Sequence, residues 1–272
     1  VSGWFNKWLM NKALSGISKI YLRESVCLNE YPEINKLNQS TDMSIVPDSA
    51  FYLDSQNELS SFKVELNEGK LNVGFTIVDH AFKYVENLHD KQVKIDKYKK
   101  SLIDTIDFLI SNYDANIHIF PQVIVANSHL GHNDVKISKE IEHIFVNKGL
   151  GSKVVYHFGD YNPMQLKRMY NEMDIFVGTR LHSVIFALSN NVPSINIAYH
   201  GTKSQGILRN VSGMEDNVIS IDTITPDTLI EKVKLLISNK SELIETLKIE
   251  NNRMKLELED AIKEVMKVAS KK

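Results

Sequence analysis

The stretch with the clearest chemical content is Gly178-Thr179-Arg180-Leu181-His182-Ser183. It joins two apolar runs, Asp174 to Val177 and Leu181 to Leu188. The first reads as a buried parallel strand and the second as a buried helix. A strand that turns sharply into a helix exposes the first helical N–H groups and the positive end of the dipole. Both favour an anion, phosphate above all. Arg180 adds a planar fork matched to phosphate or carboxylate. His182, in the first turn, can donate or accept a proton. Gly178 lets the backbone approach a ligand closely. The plainer reading is that the arginine pairs with an acid and the histidine caps the helix.

The elements around this turn complete a recognisable unit. Asn190 and Asn191 end the helix, Pro193 follows where helices stop, and Ser194 to Tyr199 reads as a second strand. Two parallel strands joined by a helix form a right-handed crossover. Ligands of open α/β sheets sit at the carboxyl ends of such strands, which places Gly178, Thr179, Arg180 and His182 at a site.

Composition narrows the class. The chain has 272 residues, 43% of them hydrophobic, enough for a sizeable core in one or two domains. Charged residues are 24% and the net charge is −2, which points away from nucleic-acid partners and from disorder. The single cysteine, Cys27, excludes an internal disulfide and fits a reducing cytosol. Its position after a charged pair suggests a structural role. No apolar run reaches the roughly 18 residues of a membrane span.

The block DIFVGTRLHSVIFAL, followed by VPSINIAYHGTKSQG, resembles the polysaccharide pyruvyl transferase family. Asp174, Gly178, Thr179, Arg180, Leu181, His182, Ser183, Pro193, Tyr199, Lys203 and Gly206 carry the resemblance. It implies an α/β protein of two Rossmann-like domains, of the B-type glycosyltransferase kind. The N-terminal domain is expected to be shortened, in a fragment or a divergent member. It further implies transfer of pyruvate from phosphoenolpyruvate to a sugar hydroxyl of a glycan or lipid-linked precursor, forming a ketal. Phosphoenolpyruvate is then the donor substrate and no cofactor is required. The arginine and histidine hold the donor. The location implied is cytoplasmic, with at most peripheral contact at the inner membrane face.

The resemblance extends to other positions. Ile17 to Ser25 looks like a strand ending in Arg-Glu-Ser, where the family has an arginine and an acid, and makes Arg23 a candidate anion ligand; a surface Arg23–Glu24 pair is the alternative. Ser25 follows the acid directly, closer than the family spacing. Ser44 to Leu53 matches a strand followed by Pro-Asp, which would put Asp48 in the cleft; a turn-forming aspartate is the alternative. Asn133 and Asp134 match an Asn-Asp pair before a helix, and Asp134 is also a good N-cap. His129 and His132 lack a third metal ligand, so a metal site is weakly supported and none is expected.

The remaining chain is read by pattern. Within residues 1–20, Trp4, Phe5, Trp8, Leu9 and Ala13 fall at helical spacing and are expected to pack in the core, with a membrane-surface helix as the alternative. The domain limits expected are 1–66 for the acceptor side, 67–225 for the donor side and 226–272 for helices crossing between them. Asp54 to Lys70 reads as linker, Leu71 to Val78 as a strand with close approach at Gly74, and Tyr98 to Tyr113 as a helix. Asn116 to Val125 is a strand marked by Pro121, Ser152 to Phe158 another, and Met164 to Glu172 a helix opened by Pro163. Helices follow at 227–238 and 241–268. Leu243, Leu247, Met254, Leu258, Ile262, Val265 and Met266 give the last one an apolar stripe.

Ketal formation sets clear demands. The enol carbon must gain a proton, a sugar hydroxyl must be deprotonated as it attacks, and departing phosphate must be stabilised. Arg180 and the helix N-terminus suit phosphate or carboxylate, with Gly178, Thr179, Leu181, Ser183 and Tyr199 around them. Lys203 suits the remaining anionic group, His182 the proton donor, and Asp134 or Asp48 the base. A nucleotide-sugar glycosyltransferase or epimerase on the same scaffold is the competing enzyme. Such enzymes hold ribose with a glutamate after this turn, and Leu181 to Leu188 contains none. A non-catalytic fragment or relative is the third reading.

Overall fold

A computed structural model of the chain describes residues 3–26, 28, 42–53, 66, 69–78, 81–82, 85–124, 134–199 and 203–270. Cys27, His129, His132, Asn133 and most of the expected linker lie outside the described residues.

Six parallel strands carry the fold: β3 (Asn72–Thr76), β4 (Asn116–Ile119), β5 (Val154–Tyr156), β6 (Ile175–Gly178), β7 (Ser194–Ala198) and β8 (Val218–Ser220). They lie in the order β5-β4-β3-β6-β7-β8. The chain starts at the middle, winds to one edge, returns to the middle at β6 and winds to the other edge. That is the doubly wound Rossmann arrangement, and its direction reverses between β3 and β6. These strands are in register with Thr76 opposite Gly178 at their carboxyl ends. Both strands are buried along their whole length, as parallel strands covered on both faces must be. At Gly74 a Cβ would lie 2.5 Å from Phe176 Cδ2, so the close approach expected there is real.

Helices α2 (Leu88–Tyr113), α3 (Asp134–Asn147) and α7 (Pro226–Ser238) bury Leu102, Ile106, Ile137, Ile141, Leu229 and Val233 in one core with the sheet. α4 (Pro163–Tyr170) and α5 (Leu181–Ser189) share a second core around Phe120, Tyr170, Phe176 and Phe186. α5, α6 (Lys203–Arg209) and α8 (Lys240–Ala269) share a third, around Ile185, Leu188, Ile207, Leu247 and Met254.

The N-terminal unit, as described, consists of α1 (Trp4–Leu14), then β1 (Lys19–Leu22) paired in parallel with β2 (Asp42–Ile45), then a 3₁₀ turn at Ser49–Tyr52. α8 reaches this unit through Glu264, which binds Lys19 Nζ at 2.7 Å and the Tyr21 hydroxyl at 2.6 Å. Core packing of α1 is not what the structure shows: none of its residues is buried, and Trp4 is 80% exposed. No described element covers its aromatic face. The stripe of α8 likewise divides. Leu247, Met254 and Leu258 are buried, while Ile262, Val265 and Met266 are exposed. No described helix is long and apolar enough to cross a membrane.

Element limits shift where local chemistry overrides pattern. α2 begins ten residues before Tyr98, at Leu88, because Asn87 caps it by accepting from His89 and Asp90 N–H. β4 ends at Ile119, just before Pro121. The segment Lys203–Arg209, to which the pattern assigned no element, is helical.

A buried histidine pair bridges β4 and the end of β5. His118 Nδ1 and His157 Nε2 are 2.9 Å apart, and His118 Nε2 lies 3.3 Å from Asn72 Oδ1. An amide oxygen only accepts, so His118 carries its proton on Nε2, and His157 donates to His118 Nδ1. Burial pushes both imidazoles down to about 4, His118 adding to the effect on His157. The unfolded chain therefore takes up protons first as pH falls. Stability is full above about 6.5 and is lost progressively towards about 4. Thermal unfolding between those pH values checks this. His157→Phe, which retains stacking on Phe120, is expected to lose stability less steeply than the parent.

Candidate functional site

β6 delivers Gly178 and Thr179 to the switch point. The Thr179 N–H donates to the Thr76 carbonyl at 2.9 Å, which extends the ladder by one rung. At Gly178 a Cβ would fall 2.5 Å from Val184 Cγ2 and 2.9 Å from Ser183 Oγ, so only glycine lets α5 start this close to the strand. The Arg180 carbonyl accepts from the N–H groups of Ser183 and Val184 and from Ser183 Oγ at 2.6 Å. The Leu181 and His182 N–H groups are left at the helix start, as the first amides of any helix are. A cavity of 270 Å³ opens in front of them, lined by Gln122, Thr179, Arg180, Leu181, His182, Tyr199 and Lys203 among others.

Arg180 does not point into open solvent. Its Nη2 lies 2.6 Å from Asp134 Oδ1 and its Nε 3.1 Å from Asp134 Oδ2, while Nη1 donates to the Tyr199 hydroxyl at 3.3 Å. Asp134 Oδ2 also accepts from the N–H of Val123 at 3.0 Å and of Gln122 at 3.3 Å. Burial works against the guanidinium charge, but Asp134 and Tyr199 outweigh it and hold Arg180 above its ordinary value. The plain reading of an arginine paired with an acid is thus part of the truth. Asp134, expected as a possible base, is fully buried and receives three donors on Oδ2 and one on Oδ1, so its contacts are with the protein. Asp134 is the first residue of α3 and a positioning group.

Asp48, the other candidate base, is also held by the protein. Its Oδ1 accepts from Ala50 N–H at 3.0 Å, capping the 3₁₀ turn, and its Oδ2 binds Arg23 Nη1 at 2.8 Å. It is a counter-ion and a cap. Both residues still act on the cavity. Burial pulls His182 below its ordinary pKa, Asp48 opposes that pull, and Lys203 and Arg23 add to it. Lys203 is lowered by burial and then by Arg23, against Asp48 and Glu24. Arg23 and Asp48 from the N-terminal unit are thereby brought to His182 and Lys203 of the sheet domain. Ser183 is not a ligand-facing group: it is buried and bonded to Thr76 Oγ1 at 2.6 Å.

Two participants had no signal in the sequence as site residues, Tyr98 and Asn196, and a third, Glu24, was read only as the acid beside Arg23. Tyr98, from the middle of α2, places its hydroxyl 2.7 Å from Thr179 Oγ1 and receives Val78 N–H at 3.4 Å. Asn196 on β7 donates from Nδ2 to the Gly178 carbonyl at 2.9 Å. Glu24, buried, lies against α6 so closely that a Cβ at Gly206 would meet its Oε2 at 2.6 Å. Each pairing joins residues far apart in the chain, which no local pattern encodes. Gln122 is a further wall of the cavity that the sequence did not single out.

Tyr98→Phe is expected to free the Thr179 hydroxyl and weaken binding of inorganic phosphate in the cavity by about fivefold, the worth of one ordinary hydrogen bond of about 1 kcal/mol. Tyr170→Phe is the control, since Tyr170 is equally buried but its hydroxyl has no hydrogen-bond partner among the described residues. It is expected to leave phosphate binding unchanged in the same titration.

Comparison with known proteins agrees with this geometry. No curated protein matches the chain in sequence. Among solved structures, it is similar to an α,α-trehalose-phosphate synthase (UDP-forming) from Burkholderia xenovorans with glucose-6-phosphate, at TM-score 0.53 and 10% identity, over 94% of this chain and 62% of that one. A glycosyltransferase from Rickettsia africae gives TM-score 0.51 and 11% identity over 98% and 68%. The glycotransferase of kitacinnamycin gives 0.51 and 15% over 92% and 57%. The chain thus spans roughly three fifths of the length of these proteins, and at such identities the likeness is one of fold, that of the B-type glycosyltransferases. The model of the polysaccharide pyruvyl transferase family matches residues 1–201, with the Gly178–Ser183 turn inside the match, and the chain belongs to that family.

Proposed function

We propose that the cavity at the switch point binds phosphoenolpyruvate and transfers its pyruvyl group to two hydroxyls of a glycan sugar, giving a ketal and phosphate. The observation that carries this reading is the gathering of Arg180, His182, Lys203 and Arg23 at the first-turn amides of α5. Phosphate and carboxylate of the donor need separate positive sites. The helix N-terminus with Lys203 and Arg23 serves one and Arg180 the other. The family match ends at residue 201, so the part given to Lys203 rests on its place in the cavity.

In the reaction the first sugar hydroxyl adds across the enol double bond. Its oxygen bonds to C2 while C3 gains a proton. The second hydroxyl then displaces phosphate from C2, its proton leaving with the phosphate. With Asp134 and Asp48 both committed, His182 is the group that moves the proton to C3 and receives one from the attacking hydroxyl. Its lowered pKa leaves it neutral in the empty site near pH 7. The anionic donor raises it and charges it for the first step. The absence of a glutamate in α5 favours this donor over a nucleotide sugar.

Thermal unfolding with phosphoenolpyruvate tests the donor. At a hundred times its dissociation constant a ligand adds about 2.7 kcal/mol, which for a chain of this size raises the midpoint by about 5 to 10 degrees. The shift is expected in the parent and lost in Arg180→Ala. A shift with a UDP-sugar alone would overturn the reading in favour of glycosyl transfer. Calorimetry in buffers of different ionisation enthalpy tests the histidine. Donor binding at pH 7 is expected to take up a fraction of a proton in the parent and none in His182→Gln; equal uptake in both would remove His182 from the mechanism.

A further inference from the structure

A second cavity lies at the opposite end of α5. It encloses 440 Å³ between the 3₁₀ turn Ser49–Tyr52, the end of α5 and α8. From α8 it takes Lys248, Asn251, Asn252 and Lys255, whose spacing of three, four and seven residues sets them on one helical face. Asn191 and Tyr52 complete the part that bears chemistry. Among the described residues no carboxylate lines it. Lys248 pairs with Glu245 at 2.7 Å, outside the lining, and Lys255 has no ion pair among the described residues. Asn251 Nδ2 donates to the Leu188 carbonyl and to Asn191 Oδ1, both at 2.8 Å. Its own Oδ1 is buried and has no partner among the described residues. Asn191 is held in the left-handed region at φ 62 and keeps its amide donors uncommitted among those residues. The Tyr52 ring is 43% exposed.

We propose that this cavity is a second glycan subsite, one that takes an acid-bearing sugar residue. The argument is one of matched chemistry. An exposed aromatic face suits the apolar face of a pyranose ring. Side-chain amides donate to and accept from hydroxyls. Ammonium groups with no lining acid select a carboxylate. The position fits a polymer held at two points. Asp48, before the 3₁₀ turn, acts on the donor cavity, while Tyr52 at the other end of that turn lines this one. The nine residues of α5 separate the two by about 13 Å, within reach of a short oligosaccharide. The inference rests on the glycan-acceptor reading and makes the acceptor an acidic glycan.

The test is calorimetric titration of the full chain, at low salt, with a hexamer of galacturonate and with cellohexaose as the neutral probe. The acidic hexamer is expected to bind at least tenfold more tightly. Lys255→Gln, Asn252→Ala and Tyr52→Ala, all at exposed positions, are each expected to weaken it, the lysine change by about tenfold. Lys263→Gln, an exposed lysine of α8 outside the lining, is expected to bind the hexamer as the parent does. Equal binding of the two hexamers, binding of neither, or indifference to Lys255→Gln overturns the proposal. So does displacement of the hexamer by inorganic phosphate at equal concentration, which marks a plain anion site. If the hexamer binds while phosphoenolpyruvate gives no thermal shift, the donor reading fails and this subsite stands.

Discussion

The ion pair between Arg180 and Asp134 is the contact on which the site depends. It is bidentate, nearly without solvent, and joins three segments that are remote in sequence: the start of α5, the start of α3 and the backbone after β4. A buried pair repays its desolvation only when every remaining donor and acceptor is used. Here the carboxylate receives four donors and the third guanidinium nitrogen reaches Tyr199. Removing either partner leaves the other charged and buried, a loss of about 3–5 kcal/mol in comparable pairs. The arrangement has a chemical consequence. Arg180 is rigid and charged, but its fork is largely spent on the protein. It offers a ligand a fixed field and an edge rather than a free clamp.

The rest of the site follows from the sheet. Because direction reverses between β3 and β6, no crossover helix closes over their carboxyl ends, and a crevice is left there. Hydroxyls fill the layer beneath it. Tyr98 holds Thr179, Thr76 holds Ser183, and Ser183 holds the Arg180 carbonyl. All but the last are buried side chain pairs, so the turn from Gly178 to Arg180 is fixed from below as firmly as a turn in a core. Preorganised dipoles of this kind need no rearrangement when charge develops, which is where they serve catalysis.

Much of this was legible in the sequence, and the reasons are physical. Parallel strands buried on both faces are short unbroken apolar runs, so Asp174–Val177 and Ser194–Tyr199 announced themselves, with Pro163 and Asn190 marking helix limits. The first ten residues of α2 did not. They are largely exposed, with Leu88 81% and Val93 52% accessible, so they carry no apolar period and are recruited by the Asn87 cap. α6 was hidden by Gly206, a poor helix former, whose reason is the Glu24 carboxylate pressed against it. The protein contacts of Asp134 and Asp48 were not legible for a common reason. An aspartate at the head of a helix or turn looks alike whether its oxygens meet substrate or protein, and only the pairing with Arg180 or Arg23 decides.

Charge balance explains why the helix start and His182 matter as much as they do. Around the donor cavity Arg180 faces Asp134, Arg23 faces Asp48, and Lys203 feels Glu24. Each cation therefore has a carboxylate near it, and the empty cluster is close to neutral. A neutral cluster is inexpensive to keep partly buried, whereas three bare cations would repel one another and destabilise the fold. It follows that side-chain cations alone give a multiply charged anion little net attraction. The surplus must come from groups whose charge is not cancelled by the protein. Those are the uncapped amides of Leu181 and His182, whose partial charge is fixed by the backbone, and the imidazole that follows them. The Gly178 turn, which brings α5 against the sheet with Leu181 and His182 at the cavity wall, is thus the feature through which a balanced ion cluster would still attract an anion.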